Sequence, residues 1–99
     1  LLTGDEFGAD EALRLNFVQK VVPATTVLEE ALRIAQAIAE QAPLAVVATR
    51  LNALKAVEHG PLAAMDEFVA TQQRLSASED AAEGVRSFID KRPARFTGR

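Results

Sequence analysis

Apolar residues recur at three- and four-residue spacing along most of this chain, the pattern typical of amphipathic helices. Four helices are predicted, over about residues 25–42, 43–58 and 62–75 and from residue 78 to a stop at Pro93. Pro43 and the sequence His59-Gly60-Pro61 mark the junctions between them. Thr26 and Glu29 have the spacing of a capping box at the start of the first helix. Because the connections are short, we expect a mainly α fold of antiparallel helices.

The first 23 residues have a different pattern. A turn at Thr3-Gly4-Asp5 precedes a short helix over about residues 9–15. Asn16 stands where that helix ends, and asparagine is the commonest non-glycine residue to accept the left-handed conformation there. The apolar residues of Phe17–Val22 then predict a short strand that ends at Pro23.

The last segment, residues 78–99, combines a capped helix with a basic tail. Ser78 is a predicted N-cap, and Glu79 and Asp80 place negative charge on the first turn, where the helix dipole favours it. From Arg86 onward the chain has five basic residues and one acid, a net charge of +4 in a chain whose overall net charge is −3. This charge asymmetry is the strongest functional indication that the residues give by themselves.

The amino-acid composition favours helices that need a packing partner and argues against several kinds of site and partner. Nineteen of the 99 residues are alanine, which favours helix but buries little area, so we expect the helices to need a further surface to pack against. The absence of cysteine excludes disulfides and thiolate sites. No apolar run reaches the length of a transmembrane helix, and the acidic balance without Trp or Tyr argues against nucleic-acid binding.

Few residues suggest chemistry. His59 lies at a predicted helix end, where a helix-dipole partner is the expected role, since no second metal ligand or catalytic partner is suitably spaced. The five pairs of adjacent acids are Asp5-Glu6, Asp10-Glu11, Glu29-Glu30, Asp66-Glu67 and Glu79-Asp80. Adjacent acids on a helix point about 100° apart, so these pairs are interpreted as solvated helix caps. There is no glycine-rich phosphate loop and no nucleophile motif.

Four stretches carry a family resemblance: LTG at residues 2–4, EAL at 11–13, FVQKVVP at 17–23 and EGVRSFIDKRPARFTGR at 83–99. Together they resemble the C-terminal part of the enoyl-CoA hydratase/isomerase (crotonase) family, although that family usually has Gly where this chain has Asn16. The resemblance covers essentially all 99 residues but well under half of a usual family member.

The resemblance implies that residues 1–23 end a crotonase-like ββα spiral core, with its last small helix and short strand, and that residues 24–99 form a helical trimerisation module. The implied enzyme, a lyase, hydrates 2-trans-enoyl-CoA thioesters in fatty-acid or related acyl-CoA catabolism. An enoyl-CoA isomerase, or another enzyme that stabilises a thioester enolate, is the alternative. The family's catalytic carboxylates and oxyanion hole precede the LTG turn, so no catalytic residue is assigned in this chain.

The resemblance also implies that Phe88 and Lys91 contact the adenine and phosphates of CoA. From the residues alone, Phe88 fits the helix core equally well and Lys91 could be a solvated charge. Arg92 and Arg95 are weaker candidates, and Phe96 is expected to anchor the tail. We further expect a cytoplasmic trimer or dimer of trimers that acts on an acyl-CoA thioester, with no separate cofactor and no metal, nucleic-acid or membrane partner. The rival is a non-catalytic, self-associating helical module, for which Phe88 would be buried and the tail disordered.

Overall fold

The computed structural model describes residues 2–99, and its contacts group them into two compact units, residues 2–34 and 35–99. The predicted domain boundary after residue 23 stays a prediction. The described residues form six α-helices and one 3₁₀ turn at Ala24–Thr26: α1 (Ala9–Arg14), α2 (Val27–Ala39), α3 (Pro43–His59), α4 (Pro61–Asp66), α5 (Phe68–Ser76) and α6 (Glu79–Asp90).

In the first unit, the chain leaves α1 through Asn16, whose φ of 56° confirms the predicted left-handed conformation. The N–H groups of Phe17 and Val18 then donate back to the carbonyl of Ala12, at 2.8 and 3.3 Å. The strand predicted over Phe17–Val22 is not formed, and no strand occurs in residues 2–99. A strand needs a neighbouring backbone to complete its hydrogen bonds, and here the first two N–H groups of the run are used by α1.

The start of α2 also differs from the sequence prediction. The Thr26 hydroxyl donates to the carbonyl of Pro23 at 3.0 Å within the 3₁₀ turn, and the predicted capping box with Glu29 is therefore replaced by this turn. On the first turns of α2, the Glu30 carboxylate pairs with Arg33 at 2.7 Å and Lys20 at 2.8 Å. Their hydrogen bonds lower the pKa of Glu30 to about 2.

In the second unit, Pro43 is the first residue of α3, as predicted, and Gly60 ends that helix with a φ of 87°. The single helix predicted over residues 62–75 is wrong, because the chain breaks at Glu67 into α4 and α5. Both pieces pack against α3, and the Glu67 carboxylate pairs with Lys55 of α3 at 2.7 Å. No Gly or Pro stands at residues 62–75, so the sequence itself carries no signal for the break.

Helix α6 has well-formed ends. The Ser78 hydroxyl accepts a hydrogen bond from the Ala81 N–H at 3.1 Å, which confirms the predicted N-cap. At the other end, Lys91 adopts the left-handed conformation, with φ 51° and ψ 44°. The chain then turns back beside the helix, where the Phe96 ring approaches Gly84, with Cε1 3.8 Å from the position that a Cβ there would occupy.

The carboxylate of Asp80 fastens the end of this tail. Asp80 is only 3% exposed and accepts hydrogen bonds from the N–H groups of Thr97 and Gly98 at 2.7 and 2.8 Å. Its own N–H donates to the carbonyl of Arg99 at 3.0 Å. The interpretation of Asp80 as a solvated cap is therefore wrong, because its carboxylate satisfies the backbone N–H groups of a segment 17 residues away.

The chain buries almost none of its larger apolar side chains. Among the described residues, the only buried hydrophobic ones are Ala12 and Ala64, whereas 23 large hydrophobic side chains are exposed. Soluble monomers rarely expose contiguous apolar surface on this scale. The free energy that would hold these helices together must therefore come from surfaces that lie outside the contacts described here.

We expect the isolated 99-residue chain not to unfold cooperatively as a monomer, because the buried apolar area is too small to offset the entropy of ordering the chain. Circular dichroism melting with light scattering tests this. A sharp transition in a monodisperse monomer would contradict it, whereas self-association or a gradual melt is expected.

Replacing Asp80 by Asn in the intact protein is expected to lower the free energy of unfolding by about 1–3 kcal/mol, because an amide cannot accept both backbone N–H groups as the carboxylate does. Glu79→Gln is the matched control, since Glu79 is exposed and its oxygen lies 4.0 Å from Arg99. Chemical denaturation measures the difference. Equal stability of the two variants would show that the Asp80 contacts contribute nothing.

Candidate functional site

The two residues singled out as ligand contacts lie three positions apart at the C-terminal end of α6. Phe88 is 85% exposed, so its ring is not part of a core formed by the described residues. Lys91 is also exposed, and its N–H donates to the carbonyl of Phe88 at 3.4 Å. Val85 and Ile89, one helical turn and one residue away, are 64% and 70% exposed. An exposed aromatic ring and an exposed cation thus occur within one helical turn of sequence, together with further exposed apolar side chains.

The backbone of Lys91 has an uncommon conformation for a residue with a side chain. The Arg92 N–H donates to the carbonyl of Ser87 at 3.1 Å, which, with the Lys91 bond to Phe88, completes a Schellman motif. Glycine is usual at the left-handed position of this motif, because a Cβ there costs roughly 1–2 kcal/mol. A lysine at this position therefore places its ammonium at the helix end at the expense of stability.

Glu83 joins α6 to the residues that follow Lys91. Its carboxylate pairs with the Arg92 guanidinium through two hydrogen bonds of 2.6 and 3.0 Å and accepts the Arg95 N–H at 2.9 Å. The hydrogen bonds from Arg92 and then Arg95 lower the pKa of Glu83 to about 2, and the same pair raises the pKa of Arg92. Both partners of this fork are therefore charged at neutral pH.

The positive charge of the tail is distributed unequally. Arg92 is neutralised by Glu83 and also lies 3.3 Å from Asp90, and Arg99 lies 4.0 Å from Glu79. In the part of the chain that the structure describes, the side chains of Arg86, Lys91 and Arg95 have no carboxylate within 4.0 Å. These three cations are thus available to an anionic ligand, whereas Arg92 serves the fold.

One further candidate from the sequence is the single histidine. His59 lies in the last turn of α3, as expected, with Nε2 3.8 Å from its neighbour Glu58. Residues 2–99 contain no group of three potential metal ligands. None of the helices described here is both long and apolar enough to cross a bilayer.

A groove of about 480 Å³ runs between α3 and the helices α4 and α5, bordered by Leu51, Phe68 and Leu75. Its charged groups are Lys55 and Glu67, which pair with each other, and Arg74, which donates a hydrogen bond to the Thr71 hydroxyl at 3.3 Å. The one carboxylate of the groove is therefore already paired, and most of the remaining lining is apolar.

Sequence reasoning overlooked Glu83 and Asp80 as residues that hold the tail. Each bonds to residues 9–18 positions away, outside the range of helical periodicity. The one available signal was the presence of Asp80 and Glu83 among the four acids of α6, shortly before a strongly basic tail.

The family model described as enoyl-CoA hydratase/isomerase matches residues 1–99. The chain is 36% identical to the carnitinyl-CoA dehydratase of Proteus mirabilis and 31% identical to the 2,3-dehydroadipyl-CoA hydratase of Escherichia coli. Each alignment covers all of this chain, which spans only about 40% of the length of the first relative and 39% of the second.

Solved structures agree. A "probable enoyl-CoA hydratase/isomerase" from Mycobacterium abscessus superposes on 99% of the chain with a TM-score of 0.92 and 47% identity. An enoyl-CoA hydratase from Mycobacterium tuberculosis superposes on 99% with a TM-score of 0.88 and 33% identity. The chain covers 38% and 39% of those two structures. A family match over the whole chain and a shared backbone path lead to one conclusion: this chain belongs to the enoyl-CoA hydratase/isomerase family.

Proposed function

We propose that the protein containing this chain adds water to 2-trans-enoyl-CoA thioesters in acyl-CoA catabolism. The support comes from two relatives, whose names describe a dehydratase and a hydratase of CoA thioesters. Both reactions transfer water across a carbon–carbon double bond. An isomerase would share the enolate chemistry, but neither of these relatives is named for it.

Within that protein, this chain contributes contacts to CoA. The observation that carries the proposal is that the Phe88 ring is exposed and that Lys91, three positions later at the end of α6, is exposed and unpaired. An aromatic face can pack on adenine, and an ammonium group can pair with a phosphate. The rival helical module would bury Phe88 and leave the tail disordered, whereas Phe88 is exposed and the tail is fastened by Asp80 and Glu83.

The helices also support assembly of subunits. The large apolar side chains exposed on α2, α3 and α5 offer surface that a core or a neighbouring subunit would cover. We propose a trimer, or a dimer of trimers, in the cytoplasm. CoA enters as part of the substrate, and no separate cofactor is proposed.

We expect the intact protein to hydrate crotonyl-CoA, with loss of the absorbance of the conjugated thioester and formation of 3-hydroxybutyryl-CoA. Incubation with a 3-enoyl-CoA is the matched control, because an isomerase would instead produce the conjugated thioester from it. Isomerisation without hydration would overturn the proposed reaction and favour the family alternative.

Lys91→Ala is expected to raise KM for a CoA thioester roughly 5- to 20-fold, the effect of losing one charge-assisted hydrogen bond. The KM for the matching pantetheine thioester, which lacks the nucleotide, should change less than about twofold. Arg50→Ala is the control for loss of an exposed cation on another helix. Equal effects on both thioesters would refute the nucleotide contact.

Lys91→Gly separates this role from a structural one. Glycine relieves the left-handed strain, so the free energy of unfolding is expected to rise by roughly 0.5–1 kcal/mol. Its KM for the CoA thioester should nevertheless rise as in Lys91→Ala. A lysine kept for stability would give the opposite result in denaturation, namely a less stable glycine variant.

A further inference from the structure

Lys91 has no side-chain partner among the described residues, so its position depends on its backbone. That backbone is held on both sides. On one side are the Schellman hydrogen bonds to Ser87 and Phe88. On the other is Arg92, whose guanidinium is gripped by Glu83 through two bonds.

The Glu83–Arg92 fork restrains the residue next to Lys91 more tightly than an ordinary surface pair would. The Glu83 and Arg92 side chains are 16% and 36% exposed, so the pair is only partly solvated. Arg92 Nε also lies 3.3 Å from Asp90, so Arg92 contacts the residue on the other side of Lys91 as well. Pro93 further limits the backbone of Arg92 to extended geometry. The chain on both sides of Lys91 is thus tied to α6.

Two separate carboxylates therefore hold the tail. Asp80 binds its far end at Thr97 and Gly98, whereas Glu83 binds its near end at Arg92 and Arg95. Glu83 contacts Arg92, the residue directly after the left-handed Lys91, so it can also restrain the Lys91 backbone.

We propose that Glu83 is a positioning residue for substrate binding: by holding Arg92 it keeps the backbone of Lys91 in the left-handed conformation that places this residue at the end of α6, three positions after the exposed Phe88. Glu83 itself touches no substrate. This inference rests on the proposed CoA contact, because it assigns the support of that contact. Without the fork, Lys91 can relax toward ordinary backbone conformations, and its ammonium then spends less time at the nucleotide.

The test is a double-mutant cycle in the intact protein, read as the ratio of KM for a CoA thioester to KM for the matching pantetheine thioester. Glu83→Gln is expected to raise this ratio roughly 3- to 10-fold. In the Lys91→Ala background, Glu83→Gln should change the ratio less than about twofold, because a residue that acts through Lys91 has nothing left to position. The ratio is insensitive to the fraction of protein that is folded.

Asp80→Asn is the matched control, since it loosens the far end of the tail and leaves Glu83 and Arg92 intact; its ratio should stay within about twofold of the parent. Arg92→Lys keeps the charge but loses the two-bond fork, so it should raise the ratio even if Glu83→Gln folds poorly.

The outcomes are distinct. If Lys91→Ala leaves the ratio unchanged, the CoA contact fails and the inference fails with it. If Lys91→Ala raises the ratio but Glu83→Gln and Arg92→Lys do not, the contact stands and the positioning role is overturned. An equal effect of Glu83→Gln with and without Lys91 would also overturn it, because Glu83 would then act independently.

Discussion

The structure of the C-terminal segment depends on one kind of interaction: carboxylates of α6 accept hydrogen bonds from the returning tail. Residues 93–99 have no helix or strand in which to pair their backbone groups. Asp80 accepts the N–H groups of Thr97 and Gly98, and Glu83 accepts that of Arg95. These two side chains thus provide acceptors for backbone N–H groups of the tail, as a neighbouring strand does in a sheet. Seven residues are held against the helix in this way.

The helices themselves are in the opposite situation. Their backbone hydrogen bonds are satisfied internally, but their apolar faces are not covered by the contacts described here. Helical periodicity can therefore shape the chain without stabilising it, because most helical stability comes from packing. The matched members of its family are about two and a half times longer than this chain. The local geometry of α6 and its tail, by contrast, is complete within the chain.

Much of the local structure could be predicted from sequence, because its causes are local. Ser78, Pro43 and Asn16 each occupy the predicted helix terminus, since capping, a fixed φ and tolerance of positive φ belong to single residues. The failures share a different cause. Whether Phe17–Val22 forms a strand depends on a neighbour, and the break at Glu67 lies where α4 and α5 both contact α3. Neither contact leaves a mark in short-range periodicity.

The same distinction between features predictable from sequence and features that need the structure applies to the candidate site. The family resemblance singled out Phe88 and Lys91 as candidates. The exposure of Phe88 and the left-handed backbone of Lys91 are known only from the structure. The conformation matters because glycine would serve the helix end better at that position. A strained residue persists where its surroundings impose it and its side chain has a use. In the proposed function, Glu83 and Arg92 supply those surroundings and the unpaired ammonium of Lys91 supplies the use, so that proposal accounts for the departure from the usual glycine.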